Sequence, residues 1–181
     1  MKHHLGDFPE TWDGETVEEL GKNCRGIPQT PGIYCVLYDS PSFPSFVDNG
    51  TGGRFKERDP NVAKEKLVER WVPYAKIIYI GQTSTSLKER ICKYVRFGQG
   101  HAVAHWGGRY IWQIHDSKAI IICWRPTVKG EDPIKVEAEM IQRFKKIYGR
   151  VPFANLGEGN GKIKNGKDKV LEPPAITSTA S

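Results

Sequence analysis

Gly32-Ile33-Tyr34-Cys35-Val36-Leu37-Tyr38 is an almost unbroken apolar and aromatic run, and Lys76-Ile77-Ile78-Tyr79-Ile80-Gly81 repeats its character further along the chain. Runs of this length, bounded by glycine and proline, predict buried strands. Ala119-Ile120-Ile121-Ile122-Cys123-Trp124 predicts a third. The segments between and after them change period. Val62, Ala63, Leu67, Val68 and Trp71 recur at helical spacing behind Asp59-Pro60, which offers an N-cap and a first-turn proline. Ser86 and Glu89 match a capping box for a helix over 87–96, and Pro133 opens a long helix over 134–148. Strands mixed with helices predict one small α/β (α+β) domain, which suits a chain of 181 residues.

Around this centre the composition is less ordered. Residues 1–30 are polar and read as an irregular N-terminal extension, with a short helix over 16–20. Residues 39–61 are rich in Ser, Pro, Asn, Gly and Asp and read as a long loop, a length that is usually functional or disordered. His101–Trp106 suggests a helical turn and 110–114 an extended piece. Residues 157–181 carry Lys162, Lys164, Lys167 and Lys169 among Gly, Asn and Asp and read as a basic, flexible tail.

The net charge of +6, from 27 basic and 21 acidic residues, favours a polyanionic partner. Cys24, Cys35, Cys92 and Cys123 form no CxxC pair, which argues against zinc. Cys35, Cys92 and Cys123 lie in apolar or helical contexts and read as reduced thiols of a cytoplasmic protein. No apolar run approaches the roughly 20 residues of a membrane span, and the N-terminus lacks a signal-peptide core, so no membrane partner is expected.

Placed on a helical wheel from Ile134, the residues Ala138, Ile141, Phe144 and Tyr148 share a face, with Glu137 at about 300°, within the same stripe. Glu139 falls on the opposite side with Lys146. Glu137 therefore points into the body of the protein, where a carboxylate needs a partner, a proton or a metal ion. On the preceding helix Leu87, Ile91 and Tyr94 form the apolar face. Arg90 lies at its edge, one turn from Tyr94, placed either to fork onto a phosphate or to reach water. Tyr34 and Tyr79 are strand tyrosines; a phenol acts as a base only where a neighbouring cation favours the phenolate.

Gly32-Ile33-Tyr34 and Tyr79-Ile80-Gly81 resemble, without substitution, the two signature tripeptides of the GIY-YIG nuclease family. Leu87-x-x-Arg90 is similar to the family's arginine-bearing helix, Glu137-x-x-Met140-Ile141 to the stretch with its metal-binding glutamate, and Asn155 to the asparagine that closes the domain. The resemblance covers about residues 31–156. It implies a central three-stranded, mostly antiparallel sheet flanked by helices. It also implies hydrolysis of nucleic-acid phosphodiester bonds, most readily of double-stranded DNA, with one Mg2+ or Mn2+ per active site. By the same resemblance Glu137 holds the metal, Arg90 stabilises phosphoryl charge, Tyr34 activates water, Tyr79 orients it, and Tyr94 bonds phosphate or water. Asn155 supports the site.

The resemblance leaves open a restriction-like endonuclease, monomeric or homodimeric, a structure-specific or RNA-directed nuclease, and a non-catalytic nucleic-acid-binding module. The segment between the tripeptides is long for the family, so the insertion 39–74 is the candidate substrate-specific element. It carries Arg54, Lys56, Arg58, Lys64, Lys66 and Arg70, of which Lys56 and Arg58 are candidate nucleic-acid contacts. The stretch 101–112 is the other unusual feature. His105 and Arg109 are candidate phosphate ligands, and Trp106 and Trp112 can stack on bases or simply pack.

Overall fold

A computed structural model of the chain describes residues 1–157. The expected tail lies outside the described residues, apart from Gly157. The architecture is mixed α+β, and its sheet has five strands rather than three. These are β1 (Lys2–His4), β2 (Thr11–Thr16), β3 (Gly32–Leu37), β4 (Ile77–Thr83) and β5 (Ile121–Pro126), in the order β1-β2-β5-β3-β4 with every pair antiparallel. Four α-helices accompany them: α1 (Val17–Lys22), α2 (Lys64–Arg70), α3 (Leu87–Gly98) and α4 (Pro133–Tyr148).

The two unexpected strands come from the stretch that reads as irregular. In β2, Thr11-Trp12-Asp13-Gly14-Glu15-Thr16, Trp12 and Gly14 face inward between exposed neighbours. The alternation is a strand's, but one inward position has no side chain, so no apolar pattern shows. Gly14 is small for a reason. A Cβ there would lie 2.6 Å from Cys123 Sγ on the paired strand.

The sheet divides the core. On one face Tyr34, Val36, Ile78 and Tyr79 pack with Leu87, Ile91, Tyr94 and Val95 of α3. On the other, Ile33, Cys35, Leu37, Ile77 and Ile80 pack with Ile141 and Phe144 of α4 and with Leu5, Phe8 and Trp12. Ile78 and Tyr79 are sequence neighbours on one face. This follows from a slip of register between Val36 and Leu37, which pair with Tyr79 and Ile77 respectively. An extra residue in one strand of this kind re-aims the side chains beyond it. Here Ile78 is the extra residue and joins Tyr79, which shares the face of Tyr34 through the regular pairing of Tyr34 with Gly81 and of Val36 with Tyr79.

Several other expectations change at their ends. Asp59 does not cap α2; its carboxylate takes the Asn61 backbone N–H at 2.9 Å and Arg54 at 2.8 Å. Within α2 and just beyond it, Leu67 and Trp71 pack into the core, so the helix is held by ordinary burial. Residues Arg109–Gln113 form a 3-10 turn, not a strand, and 101–106 form no regular helix. β5 starts later than expected because Ser117–Ala119 is a second 3-10 turn. The start signals hold locally: Ser86 Oγ accepts from Glu89 N–H at 3.2 Å, and Pro133 is the first residue of α4, which Gly149 ends at φ +75°. Ile134 is exposed, so the buried face of α4 is set by Ile141 and Phe144.

Cys24 and Cys92 join as a disulfide with their Cα atoms 6.1 Å apart, which overturns the reading of Cys92 as a reduced thiol. Cys35 and Cys123 remain free and buried. Among the described residues no helix is long and apolar enough to cross a membrane.

Candidate active site

The register of β3 against β4 puts Tyr34 opposite Gly81. A Cβ at Gly81 would stand 2.5 Å from Tyr34 Cζ, so the tyrosine ring occupies the space a side chain would take. Gly32 is constrained likewise, its missing Cβ facing Leu87 Cδ1 at 2.5 Å. The two glycines of the tripeptides thus seat the first tyrosine and the first turn of α3.

Three tyrosines pack around one centre. Tyr34 and Tyr79 have ring centroids 5.9 Å apart, Tyr34 and Tyr94 6.3 Å, and Tyr79 and Tyr94 5.9 Å. Tyr34 and Tyr94 are wholly buried and Tyr79 is 6% exposed. Burial raises the Tyr34 hydroxyl above its ordinary value, with the Arg90 guanidinium pulling the other way and losing. Burial likewise pushes Tyr79 and Tyr94 well up. Without a ligand, then, all three are neutral phenols, and Arg90 alone does not make Tyr34 a phenolate. Arg90 is charged at any ordinary pH, and its value is raised further, first by the neighbouring Tyr34 wherever that hydroxyl ionises.

Glu137 is half-buried on the same face of α4 as Ile141. Loss of hydration raises its carboxyl to about 7, against the pull of Arg90. α3 and α4 lie on opposite faces of the sheet, but β4 is the edge strand, so no further strand separates Arg90 from Glu137 there. Glu139 is exposed, as the wheel predicts.

Polar atoms without partners mark this region. Among the described residues Gln82 Oε1 and both ring nitrogens of His105 are buried without a hydrogen-bond partner, and Tyr34 Oη and Arg90 Nε close none of normal geometry, although Tyr34 has Tyr79 and Arg90 beside it. Buried polar groups are nearly always paired, so such a set calls for an explanation such as a ligand or a catalytic role. Gln82 directly follows the second tripeptide in sequence, but the partnerless state of its Oε1 and of His105 is legible only in three dimensions.

The residues 105–108 roof the tyrosines. His105 stacks on Tyr94 at 4.5 Å between centroids, is 2% exposed, and is kept neutral by burial, its value lowered to about 3. Tyr94 Oη donates to the Gly108 carbonyl at 3.0 Å. Gly107 leaves no room for a side chain, since its Cβ would sit 2.7 Å from Tyr79 Oη. Trp106 is half-buried. Trp112 is 1% exposed and packs on Tyr94 at 4.8 Å, which removes it as a base-stacking residue. His101 is exposed, and Lys56 lies at the surface with its ammonium 5.6 Å from the Phe55 ring centre.

Asn155 bridges the exposed edge of β4. Its carboxamide accepts from Ile80 N–H at 2.9 Å and donates to Ile80 C=O at 2.8 Å, completing the strand on the side where no further strand pairs. Arg70 in turn holds the carbonyls of Phe153 and Asn155 at 3.1 and 2.7 Å.

No family model, curated protein or solved structure matches the chain. The arrangement of its own residues therefore carries the functional reading. A groove of about 1010 Å³ lies among Val17, Gly21, Trp112 and Lys118; neither Arg90 nor Glu137 lines it, and it does not coincide with this site.

Among the described residues no three His, Cys, Asp or Glu side chains cluster as a metal cage. Glu137 is a single, partly dehydrated carboxylate with no ion-pair partner among them. A hard, hydrated ion such as Mg2+ is commonly held by one or two carboxylates, with water and substrate phosphate completing its shell.

Proposed function

We propose that this chain is a divalent-metal-dependent endonuclease that hydrolyses DNA phosphodiester bonds with GIY-YIG-type chemistry. The observation that carries this reading is the convergence of Tyr34, Tyr79, Tyr94 and Arg90, with Glu137 in electrostatic reach, in a region of partnerless polar atoms. Helices and strands distant in sequence bring together the acid, the cation and the phenols that such hydrolysis needs.

In this reading Arg90 binds the scissile phosphate and stabilises charge that develops on its oxygens. Glu137 would hold the cation, which when bound supplies Lewis-acid polarisation of the phosphate and an anionic-leaving-group partner. Tyr34 contributes a hydroxyl that orients or deprotonates the attacking water, and Tyr79 holds that hydroxyl in place. The phenolate requires more positive charge than Arg90 offers alone, so Tyr34 becomes a base only in the loaded site. One such site cuts one strand. A duplex break needs two chains or two successive nicks, which suits a restriction-like enzyme acting as a homodimer or a monomer that nicks twice.

A second reading, a non-catalytic nucleic-acid-binding module, is favoured by one feature: the hydroxyls of Tyr34 and Tyr94 are shut away from solvent. The deciding experiment incubates the wild-type chain and Glu137→Gln with supercoiled plasmid, branched DNA and single-stranded RNA, each with magnesium and with chelator. Magnesium-dependent plasmid cleavage that disappears in Glu137→Gln is the expected result. Full activity in the variant would remove Glu137 as metal ligand. Cleavage confined to branched DNA or RNA would change the substrate, and binding without cleavage throughout would favour the module.

A further inference from the structure

The roof over the tyrosines is tied to the body of the protein at its two ends and not between them. At one end His101 N–H donates to the Arg96 carbonyl at 3.1 Å, and Gly53 lies so close that a Cβ there would stand 2.1 Å from the His101 carbonyl oxygen. At the other end the Gly108 carbonyl accepts from Tyr94 Oη at 3.0 Å and from Ile111 N–H at 3.2 Å. Across 102–107 the backbone bonds among the described residues stay within the roof. Val103 N–H donates to His101 C=O and His105 N–H to Val103 C=O, each at 2.8 Å.

Side chains therefore hold 102–107 down. Val103 and Trp106 pack on the core as half-buried groups, and His105 lies on the Tyr94 ring. Phe97 meets the Trp106 indole edge-on at 6.4 Å, and Arg58 of the insertion has its guanidinium carbon 5.2 Å from the same ring. A segment with few buried apolar contacts and no backbone bond to the rest of the fold belongs to the low-stability end of a structure, where local opening occurs.

The closed position has a cost and a consequence. The cost is His105, 2% exposed with no partner on either ring nitrogen, which water would satisfy once the segment lifted. The consequence is that the chemistry proposed for the site is shut in. His105 covers Tyr94, and Gly107 lies against Tyr79 Oη, which has the Tyr34 hydroxyl for a neighbour. With 102–107 down, Tyr34 and Tyr94 are closed to solvent and to any phosphate outside. We infer that residues 102–107 are a lid, closed over the tyrosine site in the free chain, that lifts between its fixed ends at His101 and Gly108 to admit a DNA strand. Lids of this kind gate a site while the scaffold stays folded. The inference rests on the nuclease reading for what enters. It also accounts for the buried hydroxyls that favour a non-catalytic module, since they belong to the closed state alone.

The test reads the accessibility of the phenols and needs no activity. The full chain, in chelator, is treated with N-acetylimidazole, which acetylates tyrosine hydroxyls that reach solvent, and the modified peptides are quantified by mass spectrometry. Tyr74, wholly exposed, calibrates the reagent. Alkylation of Cys35 and Cys123 by iodoacetamide in a parallel sample reports opening of the whole fold, because both thiols are buried on the other face of the sheet. Both reactions are followed in urea concentrations below the unfolding transition. Lifting a short lid exposes little surface, so acetylation of Tyr94 should hardly change with urea, whereas alkylation of the thiols should rise steeply. Two variants should move the lid in opposite directions. Gly107→Ala places a methyl 2.7 Å from Tyr79 Oη, which impairs closure, so Tyr94 should be acetylated several-fold faster without urea. His105→Phe keeps the stack and loses the unpaired nitrogens, so Tyr94 should be acetylated several-fold more slowly. Acetylation of Tyr94 that climbs with urea as steeply as the thiols overturns the lid, as do unchanged rates in both variants. The urea series on the wild-type chain stays decisive if Gly107→Ala fails to fold. Plasmid cleavage with magnesium is scored separately. A chain in which Tyr94 opens independently of the thiols but which never cleaves keeps the lid and loses the nuclease reading. One that cleaves while Tyr94 opens only with the thiols does the reverse.

Discussion

Glu137 is a carboxylate whose surroundings oppose its charge. Unfolded, it titrates near 4.5; folded and without a cation, at about 7. Between those values the native state holds a proton that the unfolded chain has released, so stability falls as pH rises from 4.5 through 7. After allowance for its partial exposure the effect is roughly 1–2 kcal/mol. A cation bound at Glu137 favours the ionised form and reverses this. Magnesium should therefore raise the melting temperature clearly above pH 7 and little at pH 5, and Glu137→Gln should abolish the difference; a magnesium shift of equal size at both pH values would sink the assignment. His105 runs the other way. Its folded value of about 3 lies below the ordinary 6.5, so the stability it confers is present above 6.5 and is lost as pH falls toward 3. Its two unpaired ring nitrogens are each a desolvation cost of about 1–3 kcal/mol. His105→Phe keeps the stack on Tyr94 and removes both costs. It should melt higher than wild type, most of all at acid pH. If His105 serves the substrate, cleavage falls in the same variant, and an enzyme both more stable and fully active would show that His105 only packs.

The sheet edge shows how elements hold the site. β4 is an outer strand, yet Ile80, in the middle of the second tripeptide, is paired on its open side by the Asn155 carboxamide. Asn155→Leu leaves both backbone groups buried without partners, at a cost of about 2–4 kcal/mol. It should lower stability by that amount and shift Tyr79, its neighbour in β4, with it. Thermal unfolding and cleavage measured together check this; loss of activity with unchanged stability would instead place Asn155 at the substrate. The tripeptides, the start signals of α3 and α4 and the inward face of Glu137 were legible in the sequence because each is a local pattern with a local cause. What stayed hidden depends on distant partners. The strand at Trp12 lacks an apolar alternation, since Gly14 gives way to Cys123. The register slip beside Ile78 is invisible within a uniformly apolar run. Trp112 reads like Trp106 in sequence, and only packing against Gly98 and Tyr94 separates a buried ring from a half-buried one. Candidate residues could be named from types and spacing, but not the raised phenols of Tyr34 and Tyr79, because burial is a property of the assembled core.

At the scale of the molecule, the N-terminal segment is part of the same folded unit as the tyrosine cluster. β2 pairs with β5, Trp12 and Phe8 fill the core beneath α4, and Cys24 is joined to Cys92 of α3. That bond spans 68 residues of sequence and lands two residues from both Arg90 and Tyr94. Closing a loop of this length removes unfolded-state entropy worth about 4 kcal/mol on the chain-entropy account, or roughly 10 °C in melting temperature for a chain of this size. Reduction should therefore lower the wild-type melting temperature by up to that amount. Cys92→Ser should melt near the reduced wild type and show no further response to reductant. Because β2 and β5 hold the N-terminal segment by backbone pairing, the reduced chain should stay folded, with near-native far-ultraviolet circular dichroism. Thiol counting under denaturing conditions fixes the starting state: two reactive thiols are expected from the oxidised chain, Cys35 and Cys123, and four after reduction. Four thiols before reduction would remove the bond. The position of the bond adds a functional expectation to the stability one, since α3 carries Arg90, the arginine proposed to bind phosphate, on the turn that the disulfide secures. Oxidised and reduced protein compared well below both melting temperatures should differ in cleavage rate if the tie aligns Arg90, and should cleave equally if it contributes only to holding the chain folded.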